Sequence, residues 1–279
     1  MKKLALYLVS ISVLTLLGCS SIVKKPNINK VKTAAIISIY ANSDVREANG
    51  GGSVKGWSED LKQQVSLGFY DAYVDSFGKS LGWEMQSADM LIESEDYKNM
   101  FRPEFKTKSK TIKKIGSFIN KLSDISEKNN YFTPGNMHPI EIAHGKMKTV
   151  SYHNAGRKDV NKTLAAMAKK LGVDAVVVVQ MDYCYEPTSL SLFGLSKAHM
   201  TAASTIRAVD KKGNMVVNMG DLKSCAKRKN RGKSQQGYGL VGGNIVVALK
   251  DQENLEKMFM EATNENIRLT MKQLKKAIK

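Results

Sequence analysis

Beyond residue 17 the chain has no apolar run approaching the ~20 residues that a membrane-spanning helix needs, the longest being Ala175 to Val179 with its neighbours. A bundle of spanning helices is thereby excluded. Cysteine is scarce: Cys19, Cys184 and Cys225 are the only three in 279 residues, too few for a disulfide-built scaffold or a cysteine-rich zinc site. Of the four histidines, His199 stands alone, while His138, His144 and His153 are spaced six and nine apart. Even with Glu141 nearby, that spacing does not put ligands on one helical face, so no metal site and no cofactor are expected. Catalytic signatures are missing too, with no serine in a nucleophile elbow and no hydrolase or transferase motif. Gly237-Tyr238-Gly239-Leu240-Val241-Gly242 has the spelling of a dinucleotide fingerprint. It follows a polar stretch rather than an apolar strand, however, and reads as a glycine-lined bend. Acidic residues are outnumbered 26 to 43, for a formal charge of +17, which favours polyanionic partners. The hydrophobic content of 42% is enough for a real core, so disorder is expected only at the ends.

What is present begins at the amino terminus. Lys2 and Lys3 precede an apolar stretch from Leu4 to Leu17, which runs into Leu16-Leu17-Gly18-Cys19. A charged start, a short apolar run and a small residue before the cut describe a secretory signal over residues 1–18. With cysteine at the cut, the stretch resembles the lipobox of bacterial lipoproteins. The resemblance implies that Cys19 is acylated with diacylglycerol, becomes the mature amino terminus and, in many diderm bacteria, takes a third chain such as palmitate. Ser20, rather than aspartate, resembles the pattern that outer-membrane sorting machinery accepts. The expected location is therefore the cell envelope, lipid-anchored at the outer membrane and facing the periplasm. Losing residues 1–18 removes only Lys2 and Lys3, so the mature charge is +15.

Residues 19–32 are polar and lysine-rich without periodicity and read as a lipidated tether, whose dozen extended residues reach roughly 40 Å. A single periplasmic α/β domain over 33–279 follows, with an insertion at 93–160. Thr33 to Tyr40 is a short β-rich run, and Ser58-Glu59-Asp60 has the chemistry of a helix start. Leu61, Val65, Phe69, Ala72 and Phe77 recur at helical spacing up to Gly82, and Trp83 to Ile92 reads as a second strand. Thr163 to Leu171 is helical, and Val173 to Tyr183 is the clearest strand, central by its continuous apolar run. Thr201 to Val209 and Met215 to Met219 flank a five-residue hairpin connection, Asp210 to Asn214, with glycine where positive φ is needed. Residues 227–243 read as a basic, glycine-rich loop. Leu255, Met258, Phe259, Ala262, Ile267, Met271, Leu274 and Ile278 form the apolar stripe of a long C-terminal helix from about Asp251. The expected fold is α/β: a mixed sheet with packed helices and a helical or irregular excursion in the middle.

The order strand, helix, strand, helix, then Leu171-Gly172-Val173-Asp174-Ala175-Val176-Val177-Val178 and a hairpin at Val209-Asp210-Lys211-Lys212-Gly213-Asn214, resembles a known periplasmic module. It is similar to the amino-terminal domain of the Tol translocation protein and to the curli-secretion lipoprotein, in which an L-G-x-D step enters the central strand and a V-D-x-x-x-G turn closes the next hairpin. Here the glycine comes one position earlier. The likeness covers residues 33–92 and 160–279. It implies an envelope assembly or secretion component that works through protein contacts.

Two features bear on chemistry. Basic residues are densest at Lys227, Arg228, Lys229, Arg231 and Lys233, a candidate anion-binding loop. Cys184 and Cys225 form an even pair in an oxidising compartment, which invites a disulfide. A strand meander running to residue 226 would instead place them about two strand spacings, roughly 9.6 Å, apart, beyond the roughly 7 Å a bridge tolerates. The pairing stays open. Function is expected to be non-enzymatic: assembly, secretion or interaction, through another envelope protein or a second copy, with the membrane reached through Cys19 and nucleic acid excluded by location. An alternative is a lipoprotein that binds an anionic polymer or small ligand. A second alternative is a cell-wall hydrolase, whose two acids need only meet in space; Glu59 with Asp60, and Glu93 with Glu95, read more simply as cap and surface charges.

Overall fold

The computed structural model describes residues 22–42, 45–47, 59–99, 137–139, 141–142, 145–146, 150, 158–187, 195–220, 225–235, 238–241, 244–245 and 252–279. In chain order the elements are β1 (Thr33–Asn42), β2 (Arg46–Glu47), α1 (Glu59–Leu81), β3 (Glu84–Met85), α2 (Ala88–Glu93), α3 (Glu95–Lys98), β4 (Met137–Pro139), β5 (Glu141–Ile142) and β6 (Gly145–Lys146). There follow α4 (Lys158–Lys170), β7 (Ala175–Pro187), β8 (Leu195–Asp210), β9 (Met215–Met219), β10 (Gly232–Lys233), β11 (Tyr238–Val241), β12 (Asn244–Ile245) and α5 (Gln252–Ile278).

The sheet runs β12-β11-β8-β7-β1-β3, with β9 and β10 also paired to β8. β1 is parallel to both β3 and β7, while β7 and β8 are antiparallel from Ala175 opposite Asp210 to Pro187 opposite Ala198. The fold is thus α/β with a mixed sheet and a long C-terminal helix. Because parallel crossovers are right-handed, and the chain reaches β3 on one side of β1 and β7 on the other, α1 and α4 cover opposite faces. That is why Val176 to Val179 and Ala34 to Ile37 are apolar without alternation: all are essentially fully buried. Burial of each such valine is worth about 1.5–3 kcal/mol.

On one face, Phe69 of α1 stacks on Tyr183 at 5.7 Å and Phe259 of α5 meets the same ring edge-on at 5.1 Å. The α5 stripe from Leu255 to Leu274 is buried as its spacing predicts. On β1 the pairing with β7 shifts register between Ile36 and Ser38. The carbonyl of Ile37 takes the hydroxyl proton of Tyr97 at 2.9 Å, which seats α3 against the sheet.

Several expectations are corrected. Trp83 to Ile92 is not one strand: β3 has two residues, and Ser87 then caps α2, its hydroxyl accepting from the N–H of Met90. The loop expected at 227–243 contains β10 and β11, which pair with β8 because that long strand offers an open edge beyond β9. Most consequentially, the tether is folded from Ile22 onward. Val23 and Val217 form an antiparallel bridge, the Ile22 carbonyl accepts from Asn218 N–H at 2.8 Å, and Ile28 closes into a 3-10 turn. Val23, Ile28 and Val31 are buried in the main core, so three apolar residues were enough to dock an otherwise polar segment. Residues 100–136 and the helical signal at Ile112 to Leu122, the start at Ser58 and the side chains of Leu61 and Val65 lie outside the description.

Candidate functional site

The sequence-marked basic segment is an internal clamp. Cys184 and Cys225 are joined, with 6.1 Å between their Cα atoms, and the meander expectation fails for a plain reason. β9 stops at Met219, and Cys225 sits on a short 3-10 turn above β8, where its sulfur lies 3.4 Å from the carbonyl of Thr201. Thr201 is the residue opposite Cys184, so the turn lies over the sheet face rather than a further strand away. Alternation along β7 puts Asp182 and Glu186 on the same face as Cys184. Arg228 pairs with Asp182 at 2.5 Å, with side chains only 10% and 18% exposed. Glu186 receives Lys233, lies 4.0 Å from Arg231 and accepts from the Thr201 hydroxyl at 2.9 Å. Of the five proposed anion binders, only Lys227 and Lys229 are left exposed without an ion pair among the described residues.

The same segment then crosses the sheet edge. Between the stretches of β8 paired with β9 and with β10, the Ser204 carbonyl accepts from the Asn230 amide at 2.9 Å. That amide also reaches Thr270 Oγ1 at 3.0 Å, and Asn266 donates to the Asn230 carbonyl at 2.6 Å. Asn266 Oδ1 in turn accepts from Tyr73 at 3.2 Å, while Tyr183 and Thr263 are 2.7 Å apart. Burial holds the Tyr73 and Tyr183 phenols well above their ordinary range, so both stay neutral. Gly232 lies against the α5 backbone: a Cβ there would fall 2.2 Å from the Ala262 carbonyl oxygen and the Asn266 nitrogen. These polar groups are answered internally and form a scaffold rather than a reactive cluster.

A second basic region is assembled from distant parts of the chain. α1 returns antiparallel to β1 and α4 runs into β7, so both helices end where β1 and β7 begin. The pairs Phe69 with Phe259 through Tyr183, and Tyr73 with Asn266, show α5 running alongside α1 in the same sense. All three helices therefore terminate at one end of the sandwich. Exposed lysines sit there on each: Lys79 on α1, Lys169 and Lys170 on α4, and Lys272, Lys275 and Lys276 on α5, with Lys279 beyond it. The β8–β9 hairpin adds Lys211 and Lys212, and the docked amino-terminal segment adds Lys25, Lys30 and Lys32, all exposed.

Asp174 organises this end. Its carboxylate accepts from the N–H groups of Lys32 at 3.0 Å and Thr33 at 3.3 Å and pairs with Lys211 Nζ at 2.7 Å. Those bonds, the Lys211 bond first, hold its pKa down to about 2. The L-G-x-D step noted in the sequence thus ties three chain segments together. Between the C-terminal halves of α1 and α5 runs a groove of about 730 Å³, floored by Ala72, Ile267 and Met271 and rimmed by Lys79, Lys272 and Lys275. Sequence reasoning missed this region. The available signal was lysine in the last turn of each helix, Lys79, Lys169 with Lys170, and Lys275 with Lys276, the position that complements a helix dipole.

The remaining candidates are not brought together. His138 is on β4 opposite Ala41, and His199 Nδ1 is 2.9 Å from the Ser234 carbonyl. Cys19, His144, His153 and the glycines at 237 and 242 lie outside the description. Glu95 pairs with Lys98 at 2.7 Å as a first-turn acid of α3. No helix among the described residues is long and apolar enough to cross a membrane. No protein-family model matches this sequence, and no curated protein matches it either.

Proposed function

We propose that this is a lipid-anchored envelope protein without catalysis of its own, acting as an assembly, secretion or interaction component at the periplasmic face of the outer membrane. Its partner is another envelope protein or a second copy. The observation that carries the reading is that Ile22, three residues after Cys19, is already docked on β9. Three extended residues span at most about 10 Å, so an acylated Cys19 holds the domain against the membrane rather than on a long leash. The internally satisfied clamp and interior network suit a rigid presenting scaffold. The test is a cross-linked pull-down of the native lipoprotein beside Cys19→Ser, with the mass of the amino-terminal peptide determined. A diacylglyceryl adduct and a partner set that shrinks in the variant are expected; an unmodified Cys19 removes the reading.

A second reading, binding of an anionic polymer, is favoured by the lysine-bearing end. It moves there from residues 227–233, where Asp182 and Glu186 already answer Arg228, Arg231 and Lys233. Salt-sensitive binding to isolated lipopolysaccharide or cell-wall polymer, lost on Lys272→Glu with Lys275→Glu and kept on Arg231→Gln, would favour it.

A further inference from the structure

We infer that the Cys184–Cys225 bridge is a redox latch: a dithiol that reduces it lets residues 225–229 lift off the sheet and present Lys227, Arg228 and Lys229 together, while the rest of the domain stays folded. The inference needs neither the lipid anchor nor a partner protein. Its first support is that the two halves of the basic segment are held by different means. From Asn230 onward the chain is tied into the body: Asn230 bonds Ser204, Thr270 and Asn266, and Gly232 and Lys233 pair with Ala202 and Thr201. Ser234 adds two bonds to Met200, its N–H donating to the carbonyl at 2.9 Å and its hydroxyl accepting from the Met200 N–H at 3.0 Å. The half before Asn230 is a 3-10 turn outside any strand. Its backbone bonds among the described residues run within the segment, Arg228 N–H to the Cys225 carbonyl at 3.3 Å and Arg231 N–H to the Arg228 carbonyl at 3.4 Å. Asn230 is therefore the hinge.

Packing is the second support. Cys184, Ala203 and Cys225, with Ala226 against them, form an apolar cluster separate from the main core. Such small side chains bury little apolar area, so they hold the turn weakly once the covalent bond is gone, and the main core is untouched. The Arg228–Asp182 pair does not replace the bond. The cost of desolvating two nearly buried ions offsets most of their attraction, and both regain water when the turn lifts. Glu186 behaves differently, because Lys233 lies beyond the hinge and stays with it. Opening thus exchanges one internal ion pair for three consecutive exposed cations. The chemistry is thiol–disulfide exchange. A thiolate of the dithiol attacks the sulfur of Cys225, the less buried residue at 8% exposure against 5% for Cys184, and Cys184 leaves as a thiolate that takes up a proton. The second thiolate of the reductant then displaces Cys225 from the mixed disulfide. The reductant ends as its own disulfide and both cysteines as thiols; an oxidised dithiol accepting the two electrons runs the sequence backward and closes the latch.

The test uses the full chain, purified with the bridge intact and treated with dithiothreitol in the absence of denaturant. Alkylation read by mass spectrometry should find new thiols at Cys184 and Cys225. Amide exchange at residues 226–229 should then be about 30-fold faster or more, the factor that corresponds to losing a bridge's usual contribution. Residues 232–234 should respond less, and β7 and α5 should still be protected when 226–229 has exchanged fully. Arg228 should react several-fold faster with phenylglyoxal after reduction, with Arg268, exposed on α5, as the unchanged reference. Cys184→Ala with Cys225→Ala should reproduce both changes and be indifferent to dithiothreitol. A bridge that the reductant does not open is a permanent staple and overturns the latch. So does unchanged exchange and labelling once it is open, which would mean that the ion pair alone seats the turn. Exchange that rises in β7 and α5 as soon as at 226–229, or a double variant that does not fold, makes the bridge a support of the whole domain and equally overturns it.

Discussion

Residues 227–233 and the lysine-bearing end of the sandwich are both basic, and they differ in what faces them. The first packs onto a sheet face where β7 supplies Asp182 and Glu186, and a disulfide fixes it there. The second is built from residues scattered between positions 25 and 279, and most of its ammonium groups point into solvent. Density of charge along a chain therefore says little about availability. A charge run lying on a sheet can be neutralised by residues fifty positions away, while single lysines at helix ends add up wherever topology makes several helices end together.

Five changes sharpen this contrast, beginning with the largest. Gly232→Ala would force the α5 backbone away from β10 and should cost more than about 4 kcal/mol in urea unfolding; a near-neutral result would mean the helix sits farther out than described. Arg228→Ala leaves the Asp182 carboxylate unpaired in a half-buried site and should lose about 3–5 kcal/mol, whereas Lys275→Ala at the other region should stay within about 0.5 kcal/mol. If the two substitutions cost the same, the distinction between clamp and free surface is wrong. Removing the bridge by Cys184→Ala with Cys225→Ala opens a loop of sequence separation 41 and should cost about 2–4 kcal/mol. Faster hydrogen exchange at residues 225–235 would show that the bridge holds this segment.

The last change is an acid transition at Asp174. Its carboxylate is favoured in the folded state, so its contribution is complete above the ordinary carboxylate range near about pH 4 and disappears as the pH falls toward about 2. Stability measured from pH 5 to 2 should fall less steeply in Asp174→Asn, and the variant should loosen Lys32 and the hairpin at Lys211. Parallel pH curves for the two proteins would remove Asp174 from its organising role.

Much of the architecture was legible because its elements are long and strongly patterned. The apolar stripe of α5, the continuous valines of β7 and the hairpin at Asp210 to Asn214, with Gly213 at φ 86°, stand where local chemistry puts them. Short, polar pieces were not legible. Ile22 to Val31 carries no periodicity, yet three apolar residues and two backbone hydrogen bonds dock it, and β10 has two residues that belong to a strand only because β8 has a vacant edge. Cys184 and Cys225 could be counted but not paired, since pairing depended on where β9 stops.

By itself, then, the sequence determined the class of the fold, the elements whose hydrophobic period is sustained and the excess of positive charge. Those depend on neighbours a few residues apart. Only the tertiary structure decided which positive charges are free, because a charge is neutralised or gathered across distances that the chain must fold to close. It also decided that Ile22 to Val31 is docked on the body, since a segment without local preference takes its conformation from the surface that receives it.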